Sequence, residues 1–203
     1  MGNIEAIILA AGLSSRMGLS KLLLPFQDKT IIEKTVELVL AAGLDKINVV
    51  VGADREDLLN RLGAYSVRII ENPFYRQGMS TSFKAGVEQV AGNKKTEALL
   101  VFNGDMPLIR PDTVRNIIKV YEEESPLIVA PVYKQRRGHP VLFARAVFPE
   151  LAEISGDRGA REIIARNGHL LRTVTVDDPG IFLDIDTGND YRRALALAGE
   201  RPL

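Results

Sequence analysis

The sequence predicts an α/β protein of three layers, in which helices cover both faces of a mostly parallel, mixed sheet. Three observations support this prediction. Short apolar runs rich in β-branched residues recur along the chain, segments with helical periodicity separate most of them, and glycine or proline marks most of the boundaries. Strands that alternate with helices are typical of parallel sheets, whose crossover connections are right-handed.

The predicted strands are short apolar runs, as expected where helices cover both faces of a strand. They lie at 4–9, 47–51, 67–70, 98–102, 127–132, 170–176 and 182–185. A charged connection, residues 134–138, joins 128–132 to 141–143, and we expect a hairpin-like pair there. We therefore expect some antiparallel pairing in the sheet.

Helical periodicity and capping residues predict the helices. Thr30 should cap the first helix with Glu33 in the capping-box position, and Gly43 should end it. Pro111 suits the first turn of a helix that reaches Glu124. Further helices are predicted from residue 54, from about residue 80, and at 148–154, 160–167 and 188–198.

Composition excludes several classes of protein. The 203 residues suit one domain, which we expect to span 1–203, and the equal counts of 26 basic and 26 acidic residues give no basic surface for nucleic acid or anionic membranes. No apolar run approaches the roughly 20 residues that span a bilayer. The chain has no cysteine, which excludes disulfides and thiolate chemistry. Its first residues lack a basic signal-peptide region, so we expect a cytoplasmic protein.

A glycine-rich loop, residues 9–21, follows the first strand. Gly12 and Gly18 permit close approach of backbone N–H groups to an anion, and Arg16 and Lys21 supply positive charge for phosphate oxygens. The spacing is neither that of a Walker A loop nor that of the dinucleotide-binding GxGxxG. On spacing alone, phosphate binding and a plain strand-to-helix connection both fit.

Acidic residues follow two predicted strands. Asp105 lies in residues 103–107, which directly follow the run 98–102. Asp184 and Asp186 would lie on one face of the short strand 182–185 and its extension. Because ligands of parallel sheets bind beyond the carboxyl ends of the strands, the loop and Asp105 should share one edge. Carboxylates suit Mg²⁺. Alternatively, Asp105 is a turn residue and Asp184 or Asp186 caps the last helix, whose first turn contains Asp190.

The stretch from Ala6 to Lys21 resembles the LAAGxSxRMGxxK signature of nucleotidyltransferases with a GT-A-like, Rossmann-like fold. Within them it is most similar to the molybdenum cofactor cytidylyltransferases and their guanylyl relatives, a MobA-like group. The guanylyltransferases usually have glycine where this chain has Ala11, so the resemblance implies CTP as the substrate. A difference of one methyl group discriminates by only about 1–3 kcal/mol.

Other segments extend this resemblance. Residues 72–82 resemble the NPxxxxGMxxS segment that lines the base and ribose, 137–143 resemble a GHPVLF segment that faces the acceptor, and 156–161 resemble a GDxGAR turn. From the residues alone, Ser80 could simply cap a helix, His139 could be structural, and Asp157 could cap a helix with Arg161 solvated.

The resemblance assigns a role to each of these residues. Residues 1–110 would bind the nucleotide and 111–203 the acceptor. Catalysis would fall to Arg16, Lys21 and Asp105, and Asp105 and Asp186 would hold Mg²⁺, with Mn²⁺ as an alternative. The implied nucleotide-binding residues are Leu9, Ala10, Ala11, Gly12, Ser14, Arg16, Met17, Gly18, Lys21, Asn72, Gly78, Met79, Ser80, Ser82 and Asp105. The implied acceptor-binding residues are Gly138, His139, Pro140, Arg158 and Arg161.

The implied reaction is transfer of CMP from CTP to the terminal phosphate of molybdenum-loaded molybdopterin, with release of pyrophosphate. A molybdoenzyme or its chaperone would then receive the product. Three alternatives stay open at this point: guanylyl transfer to molybdopterin, nucleotidyl transfer to a sugar, polyol or other phosphorylated acceptor, and a nucleotide-binding regulatory domain without turnover.

Overall fold

A mixed sheet of eight strands forms the centre of the part of the chain that the structure describes, residues 3–12, 20–156 and 160–199 of a computed structural model. The strands of this sheet are β1 (Ile4–Ala10), β4 (Ile47–Val51), β5 (Val67–Glu71), β6 (Ala98–Asn103), β7 (Ile128–Tyr133), β8 (Arg136–Arg137), β9 (Val141–Ala144) and β10 (Leu171–Thr175). Two further strands, β2 (Pro25–Phe26) and β3 (Lys29–Thr30), form a separate two-stranded ribbon. The order across the sheet is β10-β7-β9-β6-β1-β4-β5, with β8 paired to β7.

Most neighbouring strands are parallel, as predicted. β5, β4, β1 and β6 pair in parallel, and β7 pairs in parallel with β10. β9 lies between β6 and β7 and is antiparallel to both. The register of Ile128 with Phe143 confirms the predicted hairpin-like pair, which is closed through β8.

The helices are α1 (Ile31–Ala41), α2 (Arg55–Leu62), α3 (Met79–Ala91), α4 (Pro111–Glu124), α5 (Phe148–Ala152), α6 (Arg161–Arg166) and α7 (Gly188–Leu197). The predicted capping box of α1 is present, since the Thr30 N–H donates to Glu33 Oε2 at 2.9 Å. Pro111 begins α4 as predicted. The start of α3 was predicted one residue late: it begins at Met79 after Gly78, so Ser80 lies inside its first turn and does not cap it.

Two hydrophobic clusters confirm the three layers. Along β1, Ala6 and Ile8 belong to the cluster that includes apolar residues of α1, α2, α4 and α7. Ile7 points to the other face and joins the cluster that includes residues of α3, α5 and α6. Alternate residues of one strand therefore bury against helices on opposite sides of the sheet. No helix in the described part of the chain is long and apolar enough to span a membrane.

One predicted strand is wrong. Residues 182–185 do not pair with the sheet; instead a 3₁₀ helix covers Pro179–Phe182 and an irregular segment follows it. Pro179 lacks the N–H that a ladder needs, and the Asp178 side chain accepts a hydrogen bond from the Gly180 N–H at 2.9 Å. These local contacts favour a turn. The argument that a strand places Asp184 and Asp186 on one face therefore no longer holds.

A buried carboxylate ties the amino ends of the central strands together. Glu5 on β1 is only 5% exposed and accepts hydrogen bonds from Asn48 on β4 at 3.0 Å, from Asn93 at 2.8 Å and from Thr96 at 2.5 Å. Burial raises the pKa of the Glu5 carboxyl, but the hydrogen bonds from Thr96, Asn48 and Asn93 outweigh it, and the pKa is lowered overall. Glu5 lies far along β1 from the glycine-rich loop, so its role is structural.

We expect Glu5→Gln to lower the free energy of unfolding by roughly 1–3 kcal/mol at pH 7, because hydrogen bonds to a charged acceptor are weakened. A carboxyl group whose pKa is lowered on folding stabilises above its unfolded-state pKa and loses that contribution as the pH falls through its folded-state pKa. The difference between variant and parent should therefore shrink below about pH 4, as measured by urea denaturation.

The matched control is Glu88→Gln, which changes an exposed carboxylate on α3 and should leave the free energy of unfolding unaltered at both pH 7 and pH 3. A Glu5→Gln difference that is as large at pH 3 as at pH 7 would show that the charge of Glu5 does not contribute.

Candidate active site

The ends of β1 and β6 meet at the edge of the sheet where the parallel strands finish, here called the carboxyl edge. Leu9 is in register with Asn103, and the Gly104 N–H donates to the Leu9 carbonyl at 2.9 Å. A Cβ atom at Gly104 would lie 3.0 Å from that carbonyl oxygen and 3.2 Å from Ile32 Cδ1, so glycine permits the close approach. Asp105 consequently lies beside the point where the chain leaves β1, as the sequence predicted.

Lys21 returns from the glycine-rich loop to this edge and contacts two carboxylates. Its Nζ lies 2.5 Å from Asp105 Oδ2 and 2.7 Å from Asp186 Oδ1. In the chain, Asp105 lies 84 positions and Asp186 165 positions after Lys21. The structure therefore brings together three of the residues to which the family resemblance gives a role.

The charges of this cluster depend on one another. Burial raises the pKa of the Asp105 carboxyl; the Lys21 ammonium opposes that shift, and the negative charges of Asp184 and Asp186 add to it. Burial lowers the pKa of the Lys21 ammonium, but Asp105 and Asp186 outweigh burial and raise the pKa overall. Lys21 is therefore charged at neutral pH and balances a buried carboxylate.

The donor set fits a divalent cation. Asp105 Oδ1 is buried and has no hydrogen-bond partner among the described residues, although a buried carboxylate oxygen ordinarily has one. The Asp186 side chain is 42% exposed, which leaves it accessible from solvent. No cluster of three or more His, Cys, Asp or Glu side chains suited to a metal occurs among the described residues. Two carboxylates, with water and phosphate oxygens completing the shell, suit Mg²⁺ or Mn²⁺.

Asp186 reaches the cluster through the backbone of its neighbour. The Ile185 N–H donates to the Asp105 carbonyl at 3.1 Å, and the Ile185 side chain is buried in the core. Asp184 is exposed, and no hydrogen bond or ion pair joins it to Lys21. Thr187, not Asp184 or Asp186, caps α7, and Asp190 in the first turn accepts the Thr187 N–H at 2.8 Å. Asp186 is thus the better placed partner of Asp105.

A buried aspartate that the sequence reasoning missed holds this segment down. Asp178 is 2% exposed, and its Oδ2 accepts the Arg110 N–H at 2.8 Å and the Thr113 hydroxyl at 2.7 Å at the start of α4. Its Oδ1 accepts the Gly180 N–H. A Cβ at Gly180 would lie 2.2 Å from the Leu108 carbonyl oxygen, so the segment packs closely on the chain that follows Asp105. The Asp-Pro-Gly turn signal at 178–180 could have revealed it.

The segment 72–82 lies at the same edge but uses some of its polar groups internally. The Asn72 N–H donates to the Val51 carbonyl at the end of β4, and its buried side-chain amide donates to Thr81 and Ser82, each at 2.9 Å. Ser80 and Ser82 are buried as well. The positive φ of 111° at Gly78 allows the turn into α3 and leaves Met79 exposed. Asn72 therefore shapes this loop, and its predicted contact with a nucleotide stays a prediction.

The glycine-rich loop is described only at its two ends. Leu9, Ala10, Ala11 and Gly12 precede the gap, and Lys21 follows it. Ala11 is buried in a cluster against which Tyr75 of the 3₁₀ helix Tyr75–Gln77 packs. A Cβ at Gly52 would lie 2.8 Å from Tyr75 Cβ and 2.9 Å from the Ala11 carbonyl oxygen, so the start of the loop lies beside segment 72–82. Among the predicted contacts, Ser14, Arg16, Met17 and Gly18 lie outside the described residues.

The predicted acceptor residues share contacts with the segment that carries Asp186. The His139 N–H donates to the Ile181 carbonyl at 3.0 Å, and a Cβ at Gly138 would lie 2.4 Å from that same oxygen. Nδ1 of His139 is buried without a partner among the described residues. Burial lowers the pKa of the His139 imidazole, the charge of Arg161 adds to this shift, and Asp184 opposes it. His139 is therefore neutral near pH 7.

The remaining members of that group differ in how far the structure describes them. Pro140 is buried behind His139, and Arg161 begins α6, close enough for its charge to act on the imidazole. Arg158 and the turn residue Asp157 lie outside the described residues.

Comparison with known proteins decides the family. The model of the MobA-like NTP transferase domain matches residues 6–171. The chain belongs to this family. It is 32% identical over 192 residues to the molybdenum cofactor cytidylyltransferase of Escherichia coli, covering 94% of this chain and 95% of that protein. The family is one of nucleotidyltransferases, which confirms the class indicated by the loop signature.

Solved structures confirm the fold. Rv0371c from Mycobacterium tuberculosis is similar with a TM-score of 0.84 and 31% identity, covering 96% of this chain and 98% of that one. The structure of Rv0371c in complex with manganese has a TM-score of 0.79 and 30% identity over the same shares of the two chains. A chain of this fold and similar sequence therefore binds a divalent cation.

Relatives of similar length carry different functional names. A protein named nicotine blue oxidoreductase from Paenarthrobacter nicotinovorans is 28% identical over 205 residues, covering 95% of this chain and 96% of that protein. Family membership therefore establishes the nucleotidyltransferase class of this chain without determining its acceptor.

We expect Asp178→Asn to lower the free energy of unfolding by roughly 1–3 kcal/mol, because an amide has only one accepting atom for hydrogen bonds that two carboxylate oxygens now accept. Chemical denaturation measures this change. Asp177→Asn is the matched control, since the neighbouring side chain is exposed and its change should stay within about 0.5 kcal/mol. Equal effects of the two variants would contradict the anchoring role of Asp178.

Proposed function

We propose that this protein transfers CMP from CTP to the terminal phosphate of molybdenum-loaded molybdopterin and releases pyrophosphate, in the cytoplasm and with Mg²⁺ or Mn²⁺. The observation that carries the proposal is the meeting of Lys21, Asp105 and Asp186 beside the end of β1. Such a cluster combines a cation for phosphates with carboxylates for a metal. The relationship to the cytidylyltransferase of Escherichia coli over nearly the whole chain supports the choice of substrates.

The proposed division of the chain follows the geometry of the sheet. Residues 1–110 contain the glycine-rich loop, segment 72–82 and Asp105, and we assign them to the nucleotide. Residues 111–203 contain Gly138, His139 and Arg161, and we assign them to the acceptor. The contacts of Ile181 with Gly138 and His139 link the acceptor part to the segment that carries Asp186.

In the proposed reaction, a phosphate oxygen of the acceptor forms a bond to the α-phosphorus of CTP while the bond from that phosphorus to pyrophosphate breaks. A phosphate monoester is largely ionised near pH 7, so no general base is needed. Catalysis then consists of positioning and charge stabilisation. A divalent cation on Asp105 and Asp186 would supply charge neutralisation at the phosphates.

The chain's own side chains complete this arrangement. Lys21, with Arg16 of the loop, would stabilise the negative charge that develops on pyrophosphate. The neutral His139 imidazole would offer a hydrogen bond to the acceptor. Arg161 places a positive charge near that imidazole, which suits an anionic acceptor.

The choice of CTP depends on Ala11. Glycine at this position is typical of the guanylyl relatives, and Ala11 is buried in the cluster against which Tyr75 of the 72–82 segment packs. An added methyl group can exclude a larger base by restricting this packing, but its effect on specificity is only about 1–3 kcal/mol. The nucleotide preference should therefore be clear without being absolute.

The test is pyrophosphate release in the presence of Mg²⁺ with each of CTP, GTP, ATP and UTP. We expect CTP with molybdenum-loaded molybdopterin to exceed GTP by about tenfold or more in kcat/KM. Preference for GTP would support the guanylyl alternative. If a sugar phosphate or polyol phosphate serves equally well as acceptor, the acceptor assignment is wrong while the nucleotidyltransferase class stands.

Asp105→Asn is the variant that separates an enzyme from a nucleotide-binding regulatory domain. It should reduce turnover by about 100-fold or more while weakening CTP binding much less. Asp45→Asn, an exposed residue before β4, is the control and should retain full turnover. A parent protein that binds CTP but releases no pyrophosphate with any acceptor would favour the regulatory domain.

A further inference from the structure

The proposed reaction and the structure place the Lys21 ammonium at two different positions. The proposed reaction needs its ammonium on the triphosphate, whereas the structure places that ammonium between Asp105 and Asp186. These carboxylates are the same groups to which we assign the divalent cation. One side chain therefore competes with the cation for its ligands and is also required by the nucleotide.

We propose that the Lys21 ammonium is a displaceable occupant of the cation site. When nucleotide and divalent cation enter together, the ammonium moves from Asp105 and Asp186 to the triphosphate. This inference rests on the proposed function, because it assumes that a metal-bound nucleoside triphosphate is the natural ligand of the carboxyl edge. Lys21 would thus couple metal binding to nucleotide binding, in addition to contacting the triphosphate itself.

The geometry makes the two occupants mutually exclusive. Nζ lies 2.5 Å from Asp105 Oδ2 and 2.7 Å from Asp186 Oδ1, which is the bridging position between the two side chains. A Mg²⁺ ion bound to the same two oxygens at about 2.0–2.1 Å would overlap the ammonium. The ammonium must leave before a cation can bind these two oxygens. A cation on Asp105 Oδ1, which has no hydrogen-bond partner among the described residues, would still be repelled by the ammonium on the neighbouring Oδ2.

The surrounding chain lets the side chain move without unfolding its support. Lys21 begins a short 3₁₀ helix, Lys21–Leu23, whose Leu22 is buried in the core. The Lys21 carbonyl accepts the Leu24 N–H at 3.2 Å, which holds the backbone. The four-carbon stem of lysine is flexible and its ammonium is a compact point charge, so the charge can swing while the backbone stays in place.

The charge balance explains why the exchange needs the nucleotide. Removal of the ammonium leaves two carboxylates facing each other, with Asp184 adding to their repulsion at Asp105. A divalent cation restores that balance but displaces the Lys21 ammonium from both carboxylates. Triphosphate oxygens give the displaced ammonium new anionic contacts and also complete the coordination of the cation. Cation and nucleotide should consequently bind with positive coupling.

The test measures Mn²⁺ binding by electron paramagnetic resonance of the free ion, with no acceptor and no turnover, and a protein-free titration at the same CTP concentration gives the share of Mn²⁺ that CTP alone binds. Without nucleotide, Lys21→Gln should bind Mn²⁺ about tenfold more tightly than the parent, which corresponds to about 1.4 kcal/mol. Addition of CTP should tighten Mn²⁺ binding by the parent strongly and by Lys21→Gln much less, because the variant has no ammonium to displace.

Two further variants separate displacement from a general effect of charge. Lys34→Gln is the matched control, since Lys34 on α1 also bridges two carboxylates, Asp28 at 2.7 Å and Glu37 at 3.2 Å, away from the site. It removes the same charge and should leave Mn²⁺ binding unchanged. Lys21→Arg retains the charge and should keep Mn²⁺ binding weak.

Several results would overturn the inference. They are tight Mn²⁺ binding by the parent without nucleotide, no gain in Lys21→Gln, or an equal gain in Lys34→Gln or Lys21→Arg. If circular dichroism shows that Lys21→Gln does not fold, Lys21→Met replaces it. The dependence of the parent's Mn²⁺ affinity on CTP then still tests the inference. Failure of the proposed function is distinct, because it appears as absent pyrophosphate release whatever the Mn²⁺ affinities are.

Discussion

Asp105 is a carboxylate just beyond the end of the central strand β6, with one oxygen buried, and its charge must be balanced there. An unpaired charge in such a position is strongly destabilising, so the surrounding chain has to deliver a cation to it. Lys21 does this in the structure, with Asp186 as its second contact. The order of the strands, the glycine at 104 and the fold of 177–186 all act to bring these side chains together.

The parallel pairing of β1 with β6 is the first of these requirements. It places the start of the glycine-rich loop beside Asp105, and Gly104 allows the two backbones to approach within a hydrogen bond. The second requirement is the Asp178 anchor at the start of α4, which holds the irregular segment carrying Asp186. The same segment contacts Gly138 and His139 through Ile181, so one anchored stretch connects Asp105 and Asp186 with Gly138 and His139.

Much of the frame could be predicted from sequence, because its signals are local. Buried strands such as 47–51 and capping residues such as Thr30 and Pro111 have a strong pattern over a few neighbouring positions. The convergence of the loop and Asp105 on one edge was predictable too, since it follows from parallel strands in general. The roles of individual site residues came from family resemblance and not from spacing.

The errors have a common physical cause. Residues 182–185 look like a strand because Phe182, Leu183 and Ile185 are apolar, but the hydrogen bonds of that stretch go to Asp105 and to a turn centred on Pro179. Asp178 was missed because its three partners lie at 110, 113 and 180, and a single sequence does not show which distant backbone groups a side chain will satisfy. The contact of Lys21 with Asp186 across 165 positions is unpredictable for the same reason.

A crystal structure of the protein with CTP and Mn²⁺ tests the central claim most directly, since the anomalous signal of manganese locates the cation independently of the coordinates. The account predicts one manganese peak in contact with both Asp105 and Asp186, with the Lys21 ammonium moved from these carboxylates to the triphosphate. A manganese peak away from Asp105, or a Lys21 ammonium that still bridges the two carboxylates with CTP bound, would contradict it.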